Sequence, residues 1–397
     1  MIYWFEKHKA DVESIEGSTA TQWNFRSFCD FGDADITNKG RSIVAKFIHK
    51  SANNLLPNYI YDLYGIMDLS GVSTEADDNN RCTLQVLSFY EVTYPEMTHL
   101  WPEVSTLEQI VRGIDIMRQI FKSFFRDAVV TEYLLCHLIS STYARKDGYP
   151  ICSMSMNLCN IENSSNVIHL LQLFCAKVNH ILITNESLSE HLLQPRINDD
   201  CQLMQNSLQL TNGTNVVFDE TKFSGEVPKD VNTILACKNL AAIKLLVSAQ
   251  KVEYIYDYYE LEFECDFNVL FLSKAPSLLI ELPFIVPAPS NFSGDSEIIK
   301  KVNLTDNKIL DLCRKAIFFC RNKVRTIGIR ENCKSKITET FIRKRHHNRN
   351  TVVEELHWLL TLSKLLAALY GKNEVDIECW EKAQTMELYR IDLLKYL

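Results

Sequence analysis

The chain has no GxxxxGK segment followed by Ser or Thr, no HExxH helix, no GxSxG elbow and no glycine-rich dinucleotide fingerprint behind a strand. These absences exclude the usual phosphate cradle, the zinc-protease pair, the serine-hydrolase nucleophile and the nicotinamide or flavin grip. Also missing is the stretch of roughly 20 apolar residues that spans a bilayer. The longest apolar region, Val269 to Pro289, is broken by Lys274 and Glu281 and carries four prolines. The first residues, MIYWFEKHKADVE, have no basic start followed by an apolar run, so a secretory leader is not expected. None of the 13 cysteines forms a CxxC pair. Cys152 and Cys159 share a spacing with Cys313 and Cys320, but six intervening residues and no HxxxH fit zinc poorly. The thiols therefore read as small hydrophobes in a reducing cytoplasmic or nuclear compartment, and neither metal nor cofactor is expected.

What is present is ordinary globular material. At 397 residues, 46% hydrophobic and 23% charged, the chain is long enough for roughly two or three units with sizeable cores. The net charge of −8 is uneven: residues 300–349 hold 15 Lys and Arg against 4 Asp and Glu, which is +11 and leaves the remainder at −19. That region reads either as a basic surface for an acidic partner or nuclear importer, or as a solvated helical face with a polar loop. Its densest part, RKRHHNR, holds Arg343, Lys344, Arg345 and Arg349. These are candidates for a nuclear-import signal or nucleic-acid contact. The alternative is a solvated loop before the last long helix, since no aromatic stands close by at stacking spacing.

Along the chain, three β-rich runs come first, two within residues 41–66 around Pro57 and one from Arg81, with loop chemistry at 68–80 between them. Helical periodicity starts near a Ser105/Glu108 capping box and runs through Ile114, Met117, Phe121 and Phe124. A second helix is expected from Ala128 to Tyr143, with His137 an interior histidine rather than a ligand. From Ile151 the pattern alternates: CSMSMNL extended, CNIENSSN a turn, VIHLLQLFCAKV a helix with Leu170, Leu171, Phe174 and Val178 inward, and HILITN a strand. TNVVFDE and FNVLFLS are further strands, residues 232–248 a helix, and QKVEYIYDYYELEFEC a hairpin. This is the rhythm of βαβ units on a mostly parallel sheet. Prolines and Gly294 make 283–296 an interdomain linker, and helices follow it, the clearest ending at Gly371 as a C-cap.

One stretch resembles ATP chemistry. Val216 to Phe218 lead directly into Asp219 and Glu220, as a buried strand delivers two carboxylates to a magnesium-bound phosphate. The matching phosphate loop belongs after the strand ending near Leu158, where CNIENSSNV offers neither glycine nor lysine and places Glu162 instead. Without it, Asp219 and Glu220 read as capping or turn residues at an exposed or capped strand end, a remnant acidic motif, or as a weak cation or atypical nucleotide site.

Several segments together resemble the mini-chromosome maintenance complex-binding protein family: NYIYDLYGIMDLS (58–70), TEYLLCHLISSTYARKDGYP (131–150), NGTNVVFDETKF (212–223), QKVEYIYDYYELEFECDFNVLFLSKAPSLL (250–279), EELHWLLTLSKLLAALYG and CWEKAQ. They occur in the family's order across most of residues 40–390. The resemblance implies an α/β fold with additional domains. A degenerate AAA+-like, P-loop-type parallel-sheet domain lacking the P-loop would occupy 101–290, preceded by a small β-rich, partial OB-like domain at 1–100 and followed by a helical lid at 291–397. With only three β runs before Ser105, the N-terminal domain is expected to be incomplete relative to the family. The resemblance further implies a nuclear, non-enzymatic partner of replicative helicase subunits, without a small-molecule substrate or membrane contact and with indirect chromatin association. Such a partner influences helicase assembly or removal, DNA replication and sister-chromatid cohesion. In a helicase the hairpin would reach the central channel. Here Tyr254, Tyr256, Tyr258, Tyr259 and Phe263 are candidates for a partner contact, or for cross-strand packing inside the domain. A divergent ATPase and a nucleic-acid-binding module are the competing functions.

Overall fold

A computed structural model describes residues 3–7, 19–27, 42–47, 55–68, 83–91, 106–197, 203–204, 206–225, 233–256, 258–289, 292, 296–303, 307–347 and 353–395. The first strands are β1 (Tyr3–Lys7), β2 (Thr19–Ser27), β3 (Ser42–Phe47), β4 (Tyr61–Asp68) and β5 (Thr83–Glu91). Then come α1 (Leu107–Phe125), α2 (Ala128–Ile139), β6 (Ala144–Lys146), β7 (Tyr149–Ile151), β8 (Met156–Cys159), α3 (Ser164–Phe174), β9 (Val178–Leu182), α4 (Asn185–Glu190), β10 (Arg196–Ile197) and β11 (Leu203–Met204). Next are β12 (Asn215–Asp219), α5 (Thr233–Ala249), β13 (Lys251–Ile255), β14 (Glu260–Glu264), β15 (Asn268–Leu272) and β16 (Phe284–Pro287). The remainder comprises α6 (Ser296–Asn303), α7 (Asn307–Val324), β17 (Gly328–Ile329), α8 (Glu331–His347), α9 (Val353–Leu369), β18 (Glu374–Val375) and α10 (Ile377–Leu394). Two compact units result, and the smaller gathers residues 1–102, 195–212 and 254–265.

Five strands, rather than the three expected, precede residue 105. They form one sheet in the order β1-β2-β3-β5-β4, antiparallel except for the β3–β5 pair, and its edge strands β1 and β4 approach one another. Ala45, Phe47, Leu55, Tyr61 and Val86 make a small core on one face. The Tyr61 hydroxyl accepts from Leu56 N–H at 3.0 Å, and burial pushes its pKa up to about 12. Between β4 and β5 the register slips at Tyr64/Gly65. A Cβ on Gly65 would lie 2.2 Å from the Gln85 carbonyl oxygen, so only glycine fits this bulge.

The larger unit is α/β, with five parallel strands in the order β16-β8-β15-β12-β9. Every residue of β8, β12 and β15 is buried, as expected where helices cover both faces. One hydrophobic cluster runs from α1 through the sheet to Leu362, Leu366 and Trp380, so the helices beyond residue 291 share the sheet's core. Among the described residues no helix is long and apolar enough to cross a membrane.

Several boundaries move for local reasons. The first helix is capped one residue later than expected: Thr106 Oγ accepts from Gln109 N–H, and Gln109 Oε1 accepts from Thr106 N–H. α2 stops at Ile139 rather than Tyr143, where Ser140 turns extended and its hydroxyl donates to the His137 carbonyl. α3 ends at Phe174, and Val178 opens β9 instead of closing a helix. The largest correction concerns the expected linker at 283–296. Its first half is β16, an edge strand paired with β8, with Phe284 and Val286 in the core. Edge strands leave one row of amides unpaired, so Pro287 at the strand's end removes no required bond. Gly371 does take the left-handed conformation expected of a C-cap, with φ 70 and Lys372 N–H donating to Ala367 O.

Candidate functional site

The parallel sheet changes winding direction at β8. From there the chain crosses to β9 at the far edge, returns through β12 to β15, and then passes to β16 on the other side. Open α/β sheets hold ligands beyond the carboxyl ends of their strands at such a switch. Here that position is the turn 160–163 between β8 and α3, with the end of β12 two strands away.

The turn is closed on itself. Asn160 is left-handed, with φ 63, and its Nδ2 donates to Ala288 O at 2.9 Å. Ile161 N–H donates inward to Ser273 O at 2.9 Å, and Asn163 caps α3 by accepting from Ser165 N–H at 3.1 Å. A phosphate cradle needs amides converging on one point and a lysine beside them. This turn directs an amide into the sheet and exposes Glu162.

Asp219 and Glu220 are both buried, and each of their four carboxylate oxygens accepts a hydrogen bond from the protein. Asp219 Oδ1 accepts from Thr221 N–H (3.0 Å) and Thr221 Oγ1 (2.7 Å). Asp219 Oδ2 accepts from Ser164 Oγ (2.5 Å), with His180 Nε2 at 3.3 Å. Glu220 Oε1 accepts from Ser277 Oγ (2.6 Å) and Oε2 from Leu278 N–H (3.1 Å). Asn157 secures the same loop, accepting from Ser277 N–H and donating to Ser273 Oγ. Burial opposes ionisation of Asp219, but the bonds from His180, Ser164 and Thr221 outweigh it and hold the carboxyl well below the usual range. For Glu220 burial, assisted by the Asp219 charge, prevails over the donors Ser277, Leu278 and Leu279 and raises the pKa.

This geometry ties strand ends together rather than opening toward a cation. Magnesium takes about six oxygen ligands at roughly 2.1 Å and keeps several waters. Each oxygen of the pair already accepts at least one bond from a protein donor. Among the described residues no group of three or more His, Cys, Asp or Glu is placed to hold a metal ion. Contrary to an exposed strand end, both carboxylates lie inside, and Thr221 supplies the turn contact to Asp219. Ser164, His180, Thr221 and Ser277 had no sequence signal as partners. Three of them stand 55, 39 and 57 residues from the acid they serve.

The other candidates separate. Arg343 and Arg345 lie exposed on the last turns of α8, so the basic cluster is helical through His347 rather than a loop. Arg343 pairs with Glu339 at 2.7 Å, and the Arg345 guanidinium sits 5.8 Å from the centroid of Phe341, an aromatic one turn away after all. The Lys344 side chain and Arg349 lie outside the described residues. In the hairpin, Tyr254 and Tyr256 are buried; Tyr254 meets Phe263 edge to face and Tyr256 stacks on Tyr259. Tyr254 Oη also donates to Asn58 Oδ1 at 3.3 Å. Tyr258, at the tip, is 96% exposed. His137 is interior as expected, its Nδ1 2.8 Å from Met154 O, and burial lowers its pKa to about 4.

Comparison with known proteins adds to this geometry. The chain is similar to the mini-chromosome maintenance complex-binding proteins of Danio rerio (26% identical over 273 residues), Arabidopsis thaliana (25% over 279) and Drosophila melanogaster (28% over 283). These matches cover 67%, 68% and 67% of this chain but only 42%, 45% and 44% of the relatives, so the chain spans less than half the length of each. A family model described as mini-chromosome maintenance replisome factor matches residues 96–394, three quarters of the chain and nearly all of the α/β unit, and the chain belongs to that family.

Proposed function

We propose that this chain is a non-catalytic nuclear binding partner of the replicative mini-chromosome maintenance helicase subunits. In this reading it influences helicase assembly or removal from chromatin, and thereby DNA replication and sister-chromatid cohesion, while its own chromatin association is indirect. The names of its relatives support the choice of partner. The observation that carries the non-catalytic half is the acidic pair, all of whose oxygens are engaged by Ser164, Thr221, Ser277 and Leu278 beside a turn with neither glycine nor lysine.

The parallel sheet is read as a degenerate AAA+-like domain within 101–290, with the acidic pair ending a strand near the switch point. The five-stranded sheet within 1–100 is read as OB-like, because its edges approach one another as in a partly open barrel. The helices of 291–397 are read as a lid. Hexameric ATPases seat the α/β face of one subunit against the lid of the next, so a homologous shape without phosphate chemistry occupies one such side and stops ring closure.

The test mixes the purified chain with individual helicase subunits in the absence of nucleotide. A stable complex with at least one subunit, unchanged by added ATP and by Glu220→Gln, is expected. Failure to bind any subunit, or binding that needs ATP and is lost with Glu220→Gln, refutes the reading.

A further inference from the structure

The core of the smaller unit takes one face of β4 and β5. Their opposite face carries Tyr64, Ile66, Leu87 and Tyr90, which are 55%, 60%, 69% and 62% exposed. The bulge adds Leu87 to this face: Tyr64 pairs with Ser88 and Gly65 with Val86, which leaves Leu87 without a cross-strand partner and turns it outward. Tyr64 and Tyr90 meet edge to face, with centroids 5.9 Å apart, which holds both rings on one surface. Four large apolar side chains together on one side of a strand pair mark a contact surface.

Charge narrows the occupant. Residues 1–102, 195–212 and 254–265 contain 9 Lys and Arg against 20 Asp and Glu, a net −11, whereas the rest of the chain, whose total is −8, stands at +3. A phosphate backbone is repelled by that field, although tyrosines could stack on bases. A protein surface with an apolar centre and a Lys- and Arg-rich rim is attracted to both features. We propose that the outer face of β4–β5, built on Tyr64, Ile66, Leu87 and Tyr90, docks such a basic-rimmed apolar surface on a helicase subunit. This rests on the reading above, that the chain binds those subunits.

The test measures binding of purified helicase subunits to the 397-residue chain and to Leu87→Asp/Tyr90→Asp, at low and high salt. Wild-type affinity should fall as salt rises, and the double variant should bind about tenfold weaker or worse with an unchanged melting temperature. Tyr64→Phe/Tyr90→Phe should bind like wild type. Should the aspartates disturb folding, Leu87→Ser/Tyr90→Ser must show the same loss. Wild-type binding with no effect of either variant overturns this inference and leaves the proposed function standing; no wild-type binding removes both. Loss of single-stranded oligothymidine binding, or of a dimer, in Leu87→Asp/Tyr90→Asp would assign the face to another occupant and also overturn it.

Discussion

Replacing Asp219 by asparagine distinguishes a latch from a metal site by the sign of the effect. In an empty cation site the loss of one carboxylate relieves repulsion and stabilises the fold. Here the new amide would face donors from Thr221, Ser164 and His180, leaving at least one buried group without an acceptor. Asp219→Asn is therefore expected to destabilise by on the order of 2 kcal/mol, read as a lower urea midpoint. His137 makes a second residue-scale prediction, through pH. Its folded pKa is lowered from 6.5 to about 4, so the unfolded chain binds the proton first as pH falls. Its contribution is complete above pH 6.5 and is lost between 6.5 and 4, with a ceiling of on the order of 3 kcal/mol. Urea midpoints at pH 7 and pH 5 should differ in the wild type and differ less in His137→Asn, whose amide retains a donor for Met154. The depressed Asp219 adds acid sensitivity in the same direction, but only below its unfolded value near 3.9.

At the scale of elements, close approach decides what the chain tolerates. Gly113 lets α1 lie against α7: a Cβ there would stand 2.8 Å from Ala316 Cβ and 2.9 Å from Leu312 O. Overpacking of about 1–3 kcal/mol should exceed the gain of about 1 kcal/mol from replacing a helical glycine. Gly113→Ala should thus lower the melting temperature, and adding Ala316→Gly should recover part of it. The same scale explains what could be read from the sequence. β12 and β15 are continuous buried runs and were legible, as were α1 and α9 from their apolar spacing. β16 was not, because its prolines signal loop, and only its pairing with β8 and the α10 side chain Arg390, donating to Ile285 O at 3.0 Å, show an edge strand covered by a helix. β1 and β2 were not legible either, since mixed polar and apolar strands such as TATQWNFRS gain their identity from a neighbour. The latch was illegible for a related reason: its hydroxyl donors lie on other elements and serine alone signals nothing.

At the scale of the molecule, the unequal charge of the two units gives the chain one acidic and one mildly basic part, the polarity on which the proposed docking face relies. The five-stranded parallel sheet sets a turn with neither glycine nor lysine at its switch point and an acidic pair, every oxygen engaged, two strands away. Calorimetric titration of the purified chain with magnesium and ATP tests this most directly. The account predicts no saturable heat, and none after Glu220→Gln. Stoichiometric, magnesium-dependent binding that Asp219→Asn abolishes would contradict it.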